Sequence, residues 1–486
     1  MLFAESDWTF AEILTLSASV LGYLLTLVLI RWVLLIKKRN PVSTVAWILA
    51  IVLIPLFGGV LFILFGINRV KRRREQRDAS LRSLVPHGPS LAQYHVIPDD
   101  DVPPMQQRMM VLARRLTGSS ATSSNRIELL ADTNRTLGLI EQAIHSAKSS
   151  LHLEFYIWQP DGTGSRVRDL LIEKAKQGVA VRFLYDKIGS MRLGKRFLRP
   201  MLEAGIQVAP FLPGMTLRER FSINLRSHRK IVIVDGSVGF TGGMNIGDEY
   251  LGRNRRIGYW RDTHLRFTGP TVLQLQQVFA EDWYFATGED LNDPALFPPP
   301  TTTGHTVAHV IAGEPAGNVD AFYSLMFAAI NEARDRITLA TSYFVPPQAL
   351  ATALETAALR GVQVRLLLAG RSEYLWTLLA GRSYYDTLLE AGVEIYEYER
   401  GLLHSKTLTI DGRWSLVGTP NFDARSLLLN FEVALAMYDG GIALELEEHF
   451  EEDRQWAKRV DPAEFARRST WRVLTENTCR LFAPIL

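Results

Sequence analysis

The sequence predicts an α/β protein of two pseudo-symmetric halves preceded by two transmembrane helices. Three observations predict it. The chain opens with two long apolar runs. Its remainder repeats itself, each half reading as helix, strand, helix, strand. A motif, H-x-K-x4-D-x6-G-x2-N, closes the pattern in each half, as His228, Lys230, Asp235, Gly242 and Asn245 and again as His404, Lys406, Asp411, Gly418 and Asn421.

The apolar runs cover residues 13 to 36, broken by Arg31, and 42 to 67, without a charge. Each is long enough to cross a hydrocarbon core as a helix. A cleaved signal peptide is not expected, because Glu5, Asp7 and Glu12 stand where a basic region would. Residues 1–68 therefore read as a membrane hairpin. Lys37, Lys38 and Arg39 lie between the runs, and Arg69, Lys71, Arg72, Arg73, Arg74 and Arg77 follow them. A hairpin puts these clusters on opposite sides. The larger is expected to stay inside, placing the bulk of the chain in the cytoplasm, where the cluster would also attract anionic lipid headgroups.

Residues 69–124 read as a basic juxtamembrane segment and tether. Residues 79 to 104 are polar and proline-bearing, and Thr117 to Asn125 is rich in Ser and Thr. The repeat places a first domain at 125–293, a linker at 294–304 around Pro298, Pro299 and Pro300, and a second domain at 305–486. Residues 143–158 align with 329–344, 175–186 with 358–369, and 203–211 with 390–398. Apolar β-branched runs suit a buried parallel sheet. An insert around Leu212 to Asn224, with Met215, Leu217 and Phe221 among arginines, reads equally as a membrane-facing or a plain surface loop. The formal charge of +3 gives no reason to expect a nucleic-acid partner. Cys479 is the only cysteine, so neither an intrachain disulfide nor a cysteine zinc site can form.

Asp-Gly between alternating apolar runs predicts a hairpin with a two-residue turn in each motif. Lys230 would then face Thr241, and His228 would face Gly243. This puts His228, Lys230 and Asn245 on one face of the sheet, and His404, Lys406 and Asn421 on another. The imidazoles can attack or move a proton, the lysines neutralise phosphate oxygens, and Asn245 and Asn421 add neutral donors. Gly243 would leave room for a ligand. Asp235 and Asp411 complete the catalytic motif by pattern, but the count places them in the turn, away from that face, and predicts a structural role. Glu249 and Glu432, just downstream, are candidates to orient the imidazoles, with plain surface acids as the alternative. His264 reads as a structural strand residue. No metal is expected, since His-x-Lys is not ligand spacing.

The doubled motif resembles the phospholipase D superfamily. SHRKIVIVDGSVGFTGGMNIGDEYLG, YWRDTHLRFTGP, LHSKTLTIDGRWSLVGTPNFDARSLLLNFE and the apolar segment from residue 40 resemble bacterial cardiolipin synthases. The resemblance implies two phospholipase D-like α/β/α sandwich domains after the two transmembrane helices, at the inner membrane of a bacterium. It implies that phosphatidylglycerol passes its phosphatidyl group to a second phosphatidylglycerol, giving cardiolipin and glycerol through a phosphatidyl-histidine, with no cofactor. It makes His228 the nucleophile and His404 the acid and base. Anionic membrane lipids are the expected partners, and a homo-oligomer is left open. A phospholipase D-type hydrolase, or a transferase using another alcohol, would use the same residues.

Overall fold

The computed structural model describes residues 9–35, 41–63, 91–98, 102–211, 226–254, 256–301, 304–315 and 320–482. The basic clusters flanking the second apolar run and the insert around residues 212–225 lie outside the described residues. Two compact units emerge, one containing the N-terminal apolar segment and the other both repeats.

In the first unit, helix α1 runs from Phe10 to Leu35. Its stretch Leu14–Leu35 is the one helix among the described residues long and apolar enough to cross a membrane. The expected second crossing helix is instead two shorter ones, α2 (Pro41–Leu53) and α3 (Pro55–Leu61). Proline has no N–H and its ring restricts the residue before it, so the run breaks at Ile54–Pro55. Gly58 fits the break, because a Cβ there would strike the Ala50 carbonyl. Leu29, Val33, Ile51 and Phe62 form this unit's own buried cluster, with Trp32 and Trp47 edge-on to Phe62.

The second unit is built on strands. The first half supplies β1 (Thr122–Leu130), β2 (Ser150–Phe155), β3 (Ala180–Asp186), β4 (Gln207–Phe211), β5 (Arg226–Ser227), β6 (Lys230–Val234), β7 (Val238–Gly242), β8 (Tyr259–Arg261) and β9 (His264–Thr268). The second half supplies β10 (Thr306–Gly313), β11 (Arg336–Thr341), β12 (Phe344–Val345), β13 (Gln363–Ala369), β14 (Glu394–Tyr398), β15 (Gly401–Leu403), β16 (Lys406–Ile410), β17 (Trp414–Gly418), β18 (Phe422–Asp423), β19 (Asn430–Met437) and β20 (Ala457–Arg459). The aligned repeats hold equivalent strands: β2, β3 and β4 run parallel in one half, and β11, β13 and β14 do so in the other. Each set continues through an antiparallel hairpin, β6–β7 or β16–β17.

The sheets of the two halves are not separate. β1 pairs antiparallel with β10, and this junction fuses both sheets into one of sixteen strands. Its order along the path is β20-β14-β13-β11-β16-β17-β19-β10-β1-β9-β7-β6-β2-β3-β4, with β5 joined to β19. Separate clusters fill the halves, around Phe155, Trp158 and Phe183 in one and around Leu366, Trp414 and Phe422 in the other. The helix Thr133–Ser146 starts where Asp132 accepts the Arg135 N–H, and Asp161 caps the helix Gly162–Lys176 in the same way.

The expected tether ends early. Pro104–Thr117 is a helix whose Met109, Met110 and Ala113 are buried in the second half's core, and whose Arg108 pairs with Glu332 at 2.5 Å. The first domain is therefore preceded in sequence by a helix belonging to the other half's core. The Ser/Thr-rich segment Thr117 to Asn125 runs from the end of this helix into the start of β1, at the centre of the sheet.

Candidate active site

The motif hairpins differ from expectation by one residue. Val234 pairs with Val238 and Ile410 with Trp414, so each loop has three residues. Asp235 and Gly236 both adopt positive φ, as do Asp411 and Gly412. Ser237 N–H donates to the Val234 carbonyl at 3.0 Å, and Arg413 N–H to the Ile410 carbonyl at 3.0 Å. The expected left-handed pair forms, but an extra residue follows it. Thr241 therefore faces Ile231, not Lys230.

Asp235 and Asp411 lie in these loops, at the opposite ends of β6 and β16 from Lys230 and Lys406. The Asp235 carboxylate accepts from the Lys148, Ser149 and Ser150 amides and the Ser149 hydroxyl. Asp411 accepts from the Arg334, Asp335 and Arg336 amides. Both hold the start of a parallel strand, β2 or β11, against the hairpin. No hydrogen bond joins either to a motif histidine among the described residues.

The imidazoles are built by a reciprocal crossing of the halves. β5 leads into His228 and pairs with β19 of the second half, and His228 N–H donates to the Phe431 carbonyl at 2.9 Å. β15 leads into His404 and pairs with β8 of the first half, and His404 N–H donates to the Arg261 carbonyl at 2.6 Å. Each histidine thereby meets a carboxylate from the other half. His228 Nδ1 lies 2.9 Å from Glu432 Oε2, and His404 Nδ1 lies 2.7 Å from Asp262 Oδ2. Thr419 Oγ1 donates to Glu432 at 2.5 Å and Asn430 Nδ2 at 3.2 Å, while the Thr263 amide holds Asp262 at 2.8 Å.

Glu432 thus sits beside an imidazole. Glu249 does not: it accepts from Gln159 Nε2 at 3.1 Å, and Asp262 holds the position beside His404. Asp262 escaped the sequence reading, although one signal was available. Gly242 pairs with His264 and Gly418 with Ala434, so Asp262 and Glu432 each lie two residues before equivalent partners. Aligning YWRDTHLRF with LNFEVALAM would have shown it. His264 itself is a buried strand residue. The space at Gly243 is taken by this carboxylate rather than left for a ligand, since a Cβ there would collide with Asp262.

Lys230 Nζ donates to the His228 carbonyl at 2.6 Å and lies 5.3 Å from the Tyr156 ring centre. Lys406 Nζ donates to the His404 carbonyl and, at 2.9 Å, to Ser342 Oγ. Asn245 and Asn421 are buried, but they lie beyond the ends of β7 and β17, so strand counting does not place them. Asn245 Oδ1 accepts the Ile157 amide at 3.1 Å, whereas Asn421 Oδ1 has no hydrogen-bond partner among the described residues. Arg229, between His228 and Lys230, is fully buried and ties the halves together. It pairs with Asp282 and donates to the Glu432 and Gly313 carbonyls at 3.1 Å each. Among the described residues, no group of three or more His, Cys, Asp or Glu side chains could hold a metal ion.

Burial dominates the electrostatics. It pushes both imidazoles down to about 4, although Glu432 and Asp262 pull the other way and Lys406 adds to the lowering at His404. Burial also lowers Lys230 to about 7 and Lys406 to about 8. It works against ionisation of Asp262 and Glu432, yet the facing imidazole and lysine outweigh it and keep both below the usual carboxylate range. Near neutral pH both imidazoles are therefore neutral beside ionised carboxylates. A carboxylate can only accept, so the proton sits on Nδ1 and the Nε2 lone pair is left free. Lys230 acts electrostatically on His404, and Lys406 on His228, so the two half-sites share one field.

Two His-Lys half-sites brought together by pseudo-twofold crossing in a duplicated α/β sheet define the phospholipase D class of enzyme. The family model described as "Cardiolipin synthase, PLD-like domain" matches residues 140–283 and 326–454, together more than half of the chain. A "Phospholipase_D-nuclease N-terminal" model matches residues 24–66. A cardiolipin synthase of Geobacillus kaustophilus is 38% identical over 466 residues, 95% of this chain and 92% of the relative. Cardiolipin synthase 2 of Bacillus cereus is 36% identical, covering 94% and 90%. The phosphatidylserine synthase structure from Haemophilus influenzae has a TM-score of 0.59 at 15% identity over 78% of this chain and 98% of its own, a likeness of fold. The chain belongs to the bacterial cardiolipin synthases of the phospholipase D superfamily. The N-terminal match and the apolar α1 point to membrane association.

Proposed function

We propose that the protein moves a phosphatidyl group from one phosphatidylglycerol to another, in two steps. The negative phosphate of bound substrate raises His404 so that it enters the first step as the imidazolium. His228 Nε2 attacks phosphorus, the bond to the glycerol headgroup breaks, and glycerol leaves with the proton from His404 Nε2. His404 then removes a proton from a headgroup hydroxyl of the second phosphatidylglycerol. That oxygen attacks phosphorus, the P–N bond breaks, and cardiolipin forms. Glu432 and Asp262 keep each ring's Nδ1 protonated and stabilise the cation that develops on it. Lys230 and Lys406 neutralise the non-bridging phosphate oxygens, with Asn245 and Asn421 as neutral donors.

The observation that carries this reading is the reciprocal pairing His228–Glu432 and His404–Asp262 across the two halves. It supports a nucleophile and an acid-base in one chain. The relatives' name supports cardiolipin as the product, and the resemblance to bacterial cardiolipin synthases supports phosphatidylglycerol as donor and acceptor. The superfamily resemblance supports His228 as nucleophile, a choice that the symmetry of the two motifs leaves open. One phosphodiester replaces another, so the exchange needs neither nucleotide nor metal. The N-terminal segment is proposed as a multi-pass anchor at the inner membrane, with the larger basic cluster and the catalytic halves on the cytoplasmic side.

The test is mass spectrometry of the lipids and glycerol formed from pure phosphatidylglycerol, with EDTA and without CTP. Cardiolipin and glycerol in equal amounts are expected. Phosphatidic acid as the main product would assign a hydrolase. Abolition by EDTA, or a need for CDP-diacylglycerol, would refute the reading.

A further inference from the structure

The last helix of the described chain is docked inside out. Along Thr470–Leu481 the one buried residue is Glu476, held by Arg468 at 2.8 Å and Arg472 at 3.3 Å. Arg468 also grips Asp386 at 2.5 Å, and the Arg480 guanidinium lies 4.2 Å from the Tyr384 ring centre. The charged face is therefore turned to the protein. The opposite face is apolar and bare: Trp471 and Leu481 are each 78% exposed, Leu474 54% and Phe482 56%. Trp471, Leu474, Leu481 and Phe482 share one side of an α-helix with Thr478, whose hydroxyl is turned back to the Leu474 carbonyl. A helix stabilised only by water and its own body would present the reverse pattern.

This helix packs against the helix Leu375–Arg382. That neighbour begins with a second bare apolar segment, Tyr374, Leu375 and Trp376, exposed by 52%, 65% and 56%. Tyr374 lies on the side of the second half that faces Tyr156 electrostatically. The phenol of Tyr156 is pushed up to about 12, chiefly by burial, with Tyr374 adding slightly to the rise. The Tyr156 ring centre lies 4.9 Å from that of His228. Arg371 precedes the Tyr374–Trp376 segment and the exposed Arg467 precedes Trp471, with Glu373 the nearest opposing charge in sequence.

We propose that the catalytic unit has its own docking surface for an anionic bilayer, formed by Tyr374–Trp376 and the bare face of helix Thr470–Leu481. Two tryptophans and a tyrosine suit the interfacial zone, where an apolar body and a polar edge are both satisfied. Neighbouring arginines suit anionic headgroups. A lipid substrate leaving the bilayer would then enter the site past Tyr374 without crossing water. The proposal rests on the lipid-transfer reading for its occupant.

The test uses the full chain with Cys479→Ser and a single new cysteine, Trp376→Cys or Trp471→Cys, carrying an environment-sensitive fluorophore. The protein is reconstituted into phosphatidylcholine vesicles with or without phosphatidylglycerol, each containing a nitroxide-labelled phosphatidylcholine. At least twofold quenching at both positions is expected with phosphatidylglycerol, and less without it. Adding Leu474→Glu should lower the quenching at position 376 while the far-ultraviolet spectrum is retained; Leu474→Ser serves if that variant does not fold. No quenching at either position, or fluorescence transfer between two labelled copies in its place, overturns the proposal in favour of an open or self-associating face. Quenching needs no turnover, so docking without cardiolipin formation would sink the transfer reading alone. Cardiolipin formation without quenching would sink docking alone.

Discussion

Replacing Glu432 by glutamine removes one charge and changes little in shape. The carboxylate lies 2.9 Å from His228 Nδ1 and is fully buried. Attack by Nε2 puts a positive charge on the ring, with its centre about 4 Å from that of the carboxylate. At an effective dielectric near 20, this attraction amounts to roughly 4 kcal/mol. Loss of most of it slows the first step by about 10³-fold. Glutamine can also turn its amide N–H₂ toward Nδ1. That would favour the tautomer with the proton on Nε2, where it blocks attack. Thr419 and Asn430 donate to the same carboxylate, so they are the groups that would fix the amide's orientation. The assay is cardiolipin formation at saturating phosphatidylglycerol, with thermal melting as a check on folding. kcat should fall about 10³-fold while KM stays within a few-fold. A loss under tenfold in a folded protein would refute the orienting role.

Asp235→Asn should act on stability instead. Burial raises this carboxyl, but the Ser150, Ser149 and Lys148 amides outweigh it and lower its pKa. A depressed folded value means the stabilisation is present above the unfolded value of about 3.9 and is lost as pH falls through the folded one. At pH 7 the variant should lose roughly 1–3 kcal/mol by denaturant titration, with kcat within about threefold of the parent. A hundredfold loss of kcat at unchanged stability would contradict the turn assignment. The two imidazoles, held at about 4 chiefly by burial, should titrate below pH 5 by NMR in the ligand-free protein, and a bound phosphate monoester should raise one of them. Titration near 6.5 for both would show that the site is wetter than described.

Local features carried much of this fold into the sequence. Apolar alternation and the repeat place β2, β3 and β4 against β11, β13 and β14, because each strand is specified by its own run of residues. The His and Lys positions are legible for the same reason. Joining β1 to β10 is not, since sheet edges pair through backbone groups that every residue carries. Asp262 was missed because its partner, His404, is supplied by the other half, 142 residues later. Glu249 was chosen by nearness in sequence, which says little about a site assembled by crossing. The hairpin register failed because Asp-Gly specifies two left-handed residues but not the third residue that follows them. The break in the second apolar run was not legible because composition was weighed ahead of Pro55.

A two-histidine site working through a covalent phosphatidyl-histidine makes a sharp demand on His404→Ala. The variant, mixed with phosphatidylglycerol, acid-quenched and digested, is read by mass spectrometry. Without a base to activate the second hydroxyl, a phosphatidyl adduct should accumulate slowly on His228, and His228→Ala should carry none. An adduct on His404 in the His228 variant would exchange the two roles. No adduct in either variant, with inversion at phosphorus in the parent enzyme, would contradict the covalent step and require direct transfer between the two lipids.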